Sequence, residues 1–431
     1  MRSKTRPICD AMLWENEENL GQPSDFSKTL WIAVTDMLWN NEDTEKAIFI
    51  KDFFSALTAA GLPEVPSEFS VVPLPHIVPH ATLMEIDAFI RIFDRVTTRP
   101  AWQHGVAAYA PEIARHQRSE ICFFTAWDFH LSPRLGWQLI ECNDNGSGFF
   151  FAALINRLFY ELSDLHQDSS LDPPASVTAF GEQLVSFVER EAKEFFALLP
   201  DGLFLILEAA DALRRGKFRL ELILLRDLFR RRGWRSEVAS PDELFWDSNR
   251  LLREGQEVSF IVNRSTDFFW EQDVFAALRA AYREGKVYVA PNPFTYVTRS
   301  DKRLLEFLSL PDWDEELGIR PEERAILSEH VPATYLLRES NLEEIADKKD
   351  QFFFKPAHGF AGHGVLASSQ VGVMRLRRLL RKGKVYVAQK RVPKPMLQAK
   401  GLLEKLTLWT DLRVWAYRGE RFLVSGRASQ Q

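Results

Sequence analysis

The sequence predicts a mixed α+β and α/β fold, and three observations support this prediction. Strands and helices alternate over residues 203–290, which is typical of a parallel sheet covered by helices. Earlier in the chain, two apolar strands flank a turn at 132–136, which predicts an antiparallel hairpin. Later, an apolar strand at 352–356 leads directly into a glycine-rich loop. With 431 residues, the chain is long enough for two or three domains.

The composition argues against several classes of protein. The chain is 46% apolar and 26% charged, as in ordinary globular proteins. Its net charge of −6 argues against a general nucleic-acid binder, and no apolar run approaches the ~18 residues of a membrane span. Cys9, Cys122 and Cys142 form no metal-binding pattern. Few cysteines and no secretory signal favour a cytoplasmic protein, and the oligomeric state is left open.

Residues 1–120 are the least informative part of the sequence. Prolines at 66–79 predict a loop or an extended crossing, and apolar residues at helical spacing over 81–96 predict a helix. His76 and His80 lie at this proline-rich stretch, but no cysteine or acidic residue is close by. A surface loop is therefore a simpler interpretation of the two histidines than a metal site.

A predicted hairpin over 121–143 carries the first candidate site. Every second side chain of a strand shares a face, so Glu141 and Asn143 point the same way. If the turn is centred at 134–135, Asp128 lies opposite Glu141 on that face, within ~5 Å. Two carboxylates this close repel unless a cation lies between them, and oxygen ligands suit Mg²⁺. The hairpin therefore predicts a magnesium site, with a solvated strand face as the alternative.

Arg264 is a candidate for ligand binding because of its place after a predicted strand. The strand covers 258–262, and Arg264 and Asp267 follow it. In parallel sheets, ligands bind beyond the carboxyl ends of the strands. The alternative for Arg264 is a surface ion pair.

A lysine and a glycine-rich loop form the second candidate site. Lys355 lies on the predicted strand 352–356, and Gly359, Gly362 and Gly364 follow it. Exposed backbone N–H groups in such a loop form a nest for phosphate oxygens, and the lysine adds a fixed cation. No Gly-Lys-Ser/Thr follows, so the loop is not a Walker A motif. A plain flexible hairpin is the alternative.

Two arginines lie on the last pair of predicted strands. Arg413 belongs to the strand at 408–417, and Arg427 ends the return strand at 422–427. Adjacent strands can present both side chains to one site, and guanidinium groups match phosphate oxygens two at a time. An exposed strand charge is the alternative for either residue.

Taken in chain order, these motifs resemble those of the ATP-grasp superfamily. The motifs are Asp301-Lys302 before a helix, Lys355-Pro356 with its glycine-rich loop, a hinge strand at 388–392, and Asp411-Leu412-Arg413. In most ATP-grasp ligases the Glu-x-Asn strand comes last, whereas Glu141 and Asn143 come first here. That order resembles the circularly permuted group that includes eukaryotic glutathione synthetase and glutathionylspermidine synthetase. The resemblance covers roughly residues 120–431.

The resemblance implies a circularly permuted ATP-grasp fold with an inserted parallel-sheet α/β substrate domain. An N-terminal helical and loop region at 1–120 would pack on the ATP-grasp core. The metal-binding hairpin and helices would occupy 121–200, the α/β substrate domain 201–297, and the nucleotide-binding region with the glycine-rich loop 298–431.

The resemblance also implies roles for individual residues. The metal ligands would be Asp128, Glu141 and Asn143, which would hold Mg²⁺ against the ATP phosphates. The nucleotide would be bound by Lys302, Lys355, Gly359, Gly362, Gly364, Gln389 and Val392. Phosphoryl transfer would be assisted by Arg413, Arg427 and Lys355. The substrate would be contacted by Arg264 and Ser147.

The activity implied is an ATP- and Mg²⁺-dependent ligase that joins a small-molecule carboxylate to an amine or thiol through an acyl phosphate. The sequence does not name either substrate. The glutathione synthetase loop has an acidic residue after its Lys-Pro, and this loop has none, which argues against glutathione synthesis itself. Two other classes stay open, a regulatory or degenerate ATP-binding module and a small-molecule phosphotransferase on the same fold. The ligase is favoured because a silent site need not keep all three proposed metal ligands, Asp128, Glu141 and Asn143.

Overall fold

The structure is a computed structural model of the chain. It describes residues 28–29, 32–35, 55, 70–75, 78–108, 110–132, 136–162, 171–216, 218–358, 364–398 and 407–429. Over these residues the fold is mixed, with several sheets and helices between them, as the sequence predicts. No helix in the described ranges is both long enough and apolar enough to cross a membrane.

The largest sheet brings the early and late parts of the chain together. Its seven described strands are, in spatial order, Ser70–Pro75, Ile32–Thr35, Glu420–Ser429, Thr407–Tyr417, Thr125–Ser132 and Gly136–Asn143, with Met396–Gln398 also paired to Thr407–Tyr417. The predicted register of the first hairpin is confirmed, because Asp128 pairs with Glu141. On its other side Asp128 pairs with Arg413 of the late hairpin. The two hairpins therefore share one continuous surface.

Two predictions differ from the structure in this sheet. Residues 70–75 form a strand although the prolines there predicted a loop or crossing. The strand is paired on one side, with Ile32–Thr35, and an edge strand tolerates proline because it needs fewer N–H donors. The first hairpin strand begins at Thr125 rather than 121. Phe123 and Phe124 before it pack their rings on Phe260 and Phe149 instead of joining the ladder.

The second sheet has the parallel arrangement that the alternating pattern predicts. Its parallel strands are, in spatial order, Tyr288–Ala290, Gln256–Asn263, Leu203–Leu207 and Ser236–Ala239. A hairpin of Leu244–Trp246 and Leu251–Arg253 extends it in antiparallel fashion. Every residue of Leu203–Leu207 is buried, as expected for a strand that helices cover on both faces.

The third sheet contains the strand of Lys355, Phe352–Pro356, and is called the lysine sheet. Its antiparallel strands are, in spatial order, Thr334–Leu336, Tyr386–Lys390 and Phe352–Pro356. Leu366 pairs with Phe354 after the glycine-rich segment, so that segment joins two paired positions. A small additional sheet contains Val78–Pro79, Lys28–Thr29 and Leu171–Asp172.

Helices cover the sheets and fill the space between them. The α-helices are His80–Thr97, Pro100–Ala107, Glu112–Arg115, Phe149–Leu162, Val177–Phe196, Ala210–Arg215, Arg219–Arg231, Ala276–Arg283, Pro293–Thr295, Leu304–Ser309, Asp314–Leu317, Pro321–His330, Leu342–Asp347 and Val373–Arg381. Short 3-10 helices are Pro241–Glu243, Asp273–Phe275, Pro311–Trp313, Lys349–Gln351 and Ser368–Gln370, and Tyr296–Ser300 is a π-helix. Helix His80–Thr97 packs on one face of the largest sheet through Phe89 and Phe93, which meet Phe129 and Trp127.

Candidate functional site

The candidate site lies where the largest sheet meets the lysine sheet. Lys302 Nζ lies 3.5 Å from Glu141 Oε2. Lys355 Nζ donates a hydrogen bond to Gln389 Oε1 at 2.6 Å, and Gln389 Nε2 donates to the carbonyl of Ile140 at 3.4 Å. Gln389 therefore connects the lysine strand to the strand that carries Glu141. Four residues that are far apart in sequence meet here.

Burial and neighbouring charges set the protonation of this group. Burial alone would raise the pKa of Glu141, but Lys302, Lys355 and Arg427 outweigh it and hold that pKa well below its usual range. Burial lowers the pKa of Lys355 to about 8, although the negative charge of Glu141 acts in the opposite direction. At neutral pH the site therefore holds an ionised carboxylate beside ammonium groups, and it suits a polyanion with a bound cation.

A π-helix positions Lys302. All five residues of Tyr296–Ser300 are buried. The last of them, Ser300, forms hydrogen bonds with the strand that carries Glu141 and with the residue after that strand. The Ser300 hydroxyl donates to the carbonyl of Cys142 at 2.8 Å and accepts from the N–H of Asp144 at 2.7 Å. The Lys302 N–H donates to the carbonyl of Ala357 at 3.4 Å. Short π-helices occur frequently at functional sites, and this one fixes a lysine between two sheets.

Asp128 holds two arginines on the same face of the sheet. Arg413 donates from Nε to one Asp128 oxygen at 2.6 Å and from a terminal nitrogen to the other at 2.7 Å. Arg427 donates to the second oxygen at 2.9 Å, and Asp128 is only 1% exposed. Both oxygens of Asp128 are thus occupied by guanidinium groups. In the described part of the chain, no group of three His, Cys, Asp or Glu side chains is arranged to hold a metal ion.

Glu141 and Asn143 lie side by side, as strand alternation predicts. Asn143 Nδ2 donates to Glu141 Oε1 at 3.2 Å. This contact directs the amide nitrogen of Asn143 toward the carboxylate, and it leaves the amide oxygen on the far side as an acceptor. The pair therefore offers one carboxylate and one amide oxygen at this end of the strand, which are the oxygen types that Mg²⁺ takes in proteins.

Arg264 is buried rather than part of a surface ion pair. It is 3% exposed, and it donates to the Ser147 hydroxyl at 2.6 Å. Glu221 lies 3.7 Å from the same guanidinium nitrogen and accepts from the N–H groups of Gly148 and Phe150 at 3.0 and 3.1 Å. The structure thus brings together the two residues that the resemblance assigns to the substrate.

Three further predicted residues belong to the lysine sheet. Val392 is buried just beyond strand Tyr386–Lys390. Gly364 has a left-handed backbone with φ +77°, and its carbonyl accepts from the Tyr386 hydroxyl at 3.1 Å. Gly359 and Gly362 lie outside the described residues.

The sequence interpretation missed two polar side chains near the site, Glu208 and His130. Glu208 directly follows the strand Leu203–Leu207, and burial raises its pKa to about 7 against the opposing charge of Arg264. The rule that selected Arg264 after its own strand would also have selected Glu208. His130 Nε2 lies 2.8 Å from Asp411 Oδ1. His130 is two residues after Asp128, so strand alternation alone could have placed it on the site face.

Comparisons with known proteins give structural neighbours at low sequence identity. No protein-family profile and no curated protein sequence matches the chain. A glutathione synthetase-like effector from Globodera pallida, in its apo form, aligns at TM-score 0.49 and 10% identity over 81% of this chain and 84% of its own. A putative γ-glutamylcysteine synthetase from Methylobacillus flagellatus KT aligns at TM-score 0.45 and 12% identity over 83% of this chain and 85% of its own.

A third neighbour is smaller. The ATP-grasp ligase PsnB, complexed with a minimal precursor, aligns at TM-score 0.29 and 13% identity over 53% of this chain and 92% of its own. These likenesses concern overall shape. What the site of this chain does has to be argued from its own residues.

Proposed function

We propose that this chain is an ATP- and Mg²⁺-dependent ligase that joins a small-molecule carboxylate to an amine or thiol. The observation that supports this most is the convergence of Lys302, Lys355 and ionised Glu141, with Arg413 and Arg427 on the same sheet. Phosphoryl transfer depends mainly on positioning and on neutralising the charge of the phosphates. The four cationic side chains would position the phosphates and neutralise their charge, together with a metal ion bound by the carboxylate of Glu141.

We also propose that the fold is a circularly permuted ATP-grasp fold with the α/β unit inserted into it. The pairing of Asp128 with Arg413 supports this, because it joins the first hairpin to the late hairpin in one sheet. The parallel sheet of 203–290 lies between these hairpins in sequence. Residues 1–120 would complete the largest sheet, since Ile32–Thr35 pairs with Glu420–Ser429.

The nucleotide would bind where the largest sheet meets the lysine sheet. Lys302 and Lys355 would bind the phosphates. The adenine would meet Gln389 and Val392 along the strand Tyr386–Lys390 and the segment after it. The loop with Gly359, Gly362 and Gly364 would cover the β- and γ-phosphates and exclude water from a hydrolysable intermediate.

Glu141 and Asn143 fit Mg²⁺ better than Asp128 does. Mg²⁺ is usually bound by one or two carboxylates and completes its shell with water and substrate phosphates. Bound there, Mg²⁺ would neutralise charge on the transferred phosphate. Asp128 already accepts from two arginines through both oxygens. We propose that Asp128 instead orients Arg413 and Arg427 toward the phosphoryl group.

The reaction would proceed in two steps. An oxygen of the substrate carboxylate attacks the γ-phosphorus of ATP, and the bond to the β–γ bridging oxygen breaks, which releases ADP. An amine nitrogen or thiol sulfur then attacks the acyl carbon, loses its proton, and displaces phosphate. Arg413 and Arg427 would steady the phosphoryl group during transfer, and Lys355 would stabilise charge on the departing ADP.

The substrate would bind at the carboxyl ends of the parallel strands. Buried Arg264 and half-buried Ser147 form a hydrogen-bonded pair there, and a buried guanidinium is suited to a carboxylate. Arg413 also donates toward the carbonyl of Ser147 at 3.5 Å. Ser147 would thus lie between the substrate contact and the phosphoryl-transfer arginine.

The proposal is tested by ADP release from ATP and Mg²⁺ in the presence of panels of carboxylates, amines and thiols, with products identified by mass spectrometry. We expect a condensed product in equal amount to ADP and phosphate. Lys355→Ala should slow ADP release by about 100-fold. Lys348→Ala, which removes a half-exposed lysine paired with Glu344, should leave it unchanged.

Two outcomes would count against the ligase. A phosphorylated small molecule as the product would favour the phosphotransferase. ADP release at the wild-type rate by Lys355→Ala would remove Lys355 from the phosphoryl-transfer site.

A further inference from the structure

The second sheet, which contains the parallel strands, ends in a short strand with an unpaired outer edge. Strand Leu244–Trp246 pairs with Leu251–Arg253 on one side, and no strand in the described ranges pairs with it on the other. The Asp247 N–H donates to the Arg250 carbonyl at 3.2 Å and closes this hairpin. Backbone N–H groups alternate in direction along a strand, so the Trp246 N–H faces outward. An edge of this kind can accept a further strand.

A groove with a volume of about 620 Å³ follows this unpaired edge. The strand Leu244–Trp246 forms one wall, and helix Ala276–Arg283 forms the other through Ala276, Ala277 and Ala280. Ala280 lies four and three residues after the other two alanines, so all three share one face of the helix. Their short side chains leave space between the helix and the strand. We call this space the edge groove.

Apolar side chains at the edge groove are open to solvent. Phe245 is 63% exposed, and Val274, which lies just before the helix, is 43% exposed. Both line the groove, as does half-buried Trp246. Large apolar side chains that are exposed next to one another mark interaction sites. The edge groove therefore suits the apolar side chains of a partner.

Two carboxylates lie on the rim at one end of the edge groove. Asp242 precedes the strand and Asp273 precedes the helix, each in a short 3-10 helix, and these two 3-10 helices contact each other. Both side chains are exposed and line the groove. Neither forms an ion pair with another described residue, whereas neighbouring Glu243 accepts from Arg253 at 2.8 Å. This end of the groove therefore has two uncompensated negative charges.

We infer that the edge groove binds an extended peptide segment of a partner protein, with basic side chains at one end and apolar side chains along the rest. The segment would pair as an added strand with the outward N–H and carbonyl of Trp246. Every second side chain of a strand shares a face, so alternate apolar side chains would enter the groove. The lysine or arginine side chains would meet Asp242 and Asp273, since opposite charges select partners at an interface.

The charges favour a basic partner over a second copy of this chain. If two copies paired edge to edge about a twofold axis, the strands would run antiparallel. Asp242 of each copy would then lie toward the turn after Trp246 of the other. In that turn Asp247 already pairs with Arg250 at 3.1 Å, so the turn offers no uncompensated positive charge. The net charge of −6 also opposes self-association.

This inference does not depend on the proposed ligase activity. The edge groove contains none of the residues that we assign to ATP, Mg²⁺ or the substrate. A binding test without nucleotide and without Mg²⁺ therefore keeps the two proposals separate.

The test is fluorescence anisotropy of a labelled synthetic peptide titrated with the full chain. The peptide alternates valine and threonine and has two lysines at each end, and the matched peptide has glutamates in place of the lysines. We expect saturable binding of the lysine peptide that weakens as salt is raised, and at least about tenfold weaker binding of the glutamate peptide. Equal affinities, or no binding of the lysine peptide, would overturn the inference.

Variants at the rim locate the binding. Asp242→Asn combined with Asp273→Asn should weaken binding of the lysine peptide about tenfold, and Phe245→Ser should weaken it by a similar factor. Glu284→Gln is the matched control for charge, because Glu284 is an exposed acid directly after the same helix. Met374→Ser is the control for Phe245, because Met374 is 72% exposed and lies outside the groove. Rim variants that bind as tightly as these two controls would overturn the assignment.

Hydrogen exchange tests the added strand without any variant. The outward Trp246 N–H should exchange quickly in the free chain and more slowly with the lysine peptide bound. Unchanged exchange over Leu244–Trp246 at saturating peptide would overturn the pairing.

Sedimentation of the chain without peptide tests the alternative occupant. We expect the Phe245→Ser variant and the wild type to show the same oligomeric state. A dimer that Phe245→Ser dissociates would overturn the inference and would identify a second copy of the chain as the partner.

Discussion

At the scale of single residues, Lys355 makes the charge of the site depend on pH. Burial lowers the pKa of Lys355 to about 8, so the side chain is cationic below that pH and becomes neutral above it. In the proposed site the cationic form of Lys355 binds the phosphates. We therefore expect the affinity for an ATP analogue, measured by calorimetry, to weaken from about pH 7.5 to about pH 9.5, by at most about tenfold per pH unit.

Lys355→Arg is the control for this pH dependence. The arginine stays charged over the whole range, so its affinity should change little with pH. A wild-type profile as flat as that of the arginine variant would show that the charge of Lys355 does not contribute to phosphate binding.

Asp128 provides a second prediction at this scale. Asp128→Asn keeps the size of the side chain but removes the charge that holds Arg413 and Arg427. Breaking a buried pair from one side typically costs about 3–5 kcal/mol, and we expect a loss of this order in the free energy of unfolding, measured with urea. Asp211→Asn removes an exposed carboxylate paired with Arg214 and should cost less than about 1 kcal/mol.

The same variant distinguishes two roles for Asp128. If it were a metal ligand, Asp128→Asn would lose the Mg²⁺ dependence of nucleotide binding while its stability stayed near that of the wild type. If it orients the arginines, the variant would be less stable and Mg²⁺ would still strengthen binding.

Local pattern predicts which residues share a face, but it does not predict their partners across the sheet. The predicted pairing of Asp128 with Glu141 is confirmed, although the ladder reaches it through a register shift between Asp128 and Phe129 that local pattern does not predict. The ion pair with Arg413 depends on which distant strand lies on the other side of Asp128, and no local pattern contains that. For the same reason, the hairpin with two acids predicted a metal between them, whereas arginines neutralise one of the acids.

At the scale of elements, the turn at 144–148 depends on close packing at Gly146. A Cβ atom there would lie 2.4 Å from the carbonyl oxygen of Phe124 and 2.6 Å from Cβ of Ala126. The first contact is with backbone, so the strand Thr125–Ser132 would have to shift. We expect Gly146→Ala to lower the free energy of unfolding by about 1–3 kcal/mol, measured with urea.

Gly372→Ala is the matched control. Nothing lies within 4 Å of a Cβ at Gly372, and its φ of −153° suits any residue. Its cost should be well below that of Gly146→Ala. Equal losses would show that the tight contacts at Gly146 do not set the position of the turn and of Ser147.

Elements were predicted well where one strong periodicity dominates. Over 203–290, short apolar strands bounded by glycine and proline alternate with amphipathic helices. This alternation predicted the parallel sheet that the structure has. The exceptions have local causes. Pro73 and Pro75 suggested a loop, but an edge strand accommodates them. Phe123 and Phe124 extended an apolar run, although their rings pack between sheets and leave the ladder.

At the scale of the whole molecule, the site exists only when distant parts of the chain are assembled. The pair of Glu141 and Asn143 comes from the first hairpin, Lys302 follows the α/β unit, and Lys355 lies on the lysine sheet. The order of these motifs along the sequence predicted that they belong to one site. Their spacing in the structure depends on long-range contacts, such as that between Gln389 and the carbonyl of Ile140, which sequence spacing does not reveal.

This assembly predicts that a nucleotide stabilises the whole fold. A non-hydrolysable ATP analogue at 100 times its Kd should add about 2.7 kcal/mol to the free energy of unfolding, which is a Tm rise of a few degrees for a chain of this size. The rise should be larger with Mg²⁺. Glu141→Gln should bind the analogue yet lose the increment due to Mg²⁺, because Glu141 is the carboxylate ligand in the proposed site.

The control for this thermal shift is Lys348→Ala, which should respond to the analogue as the wild type does. No shift in the wild type at saturating analogue would contradict nucleotide binding and with it the ligase. A shift of equal size with and without Mg²⁺ would keep the nucleotide but remove the metal from Glu141 and Asn143. In that case the two residues would be better explained as a polar strand face that pairs with Lys302.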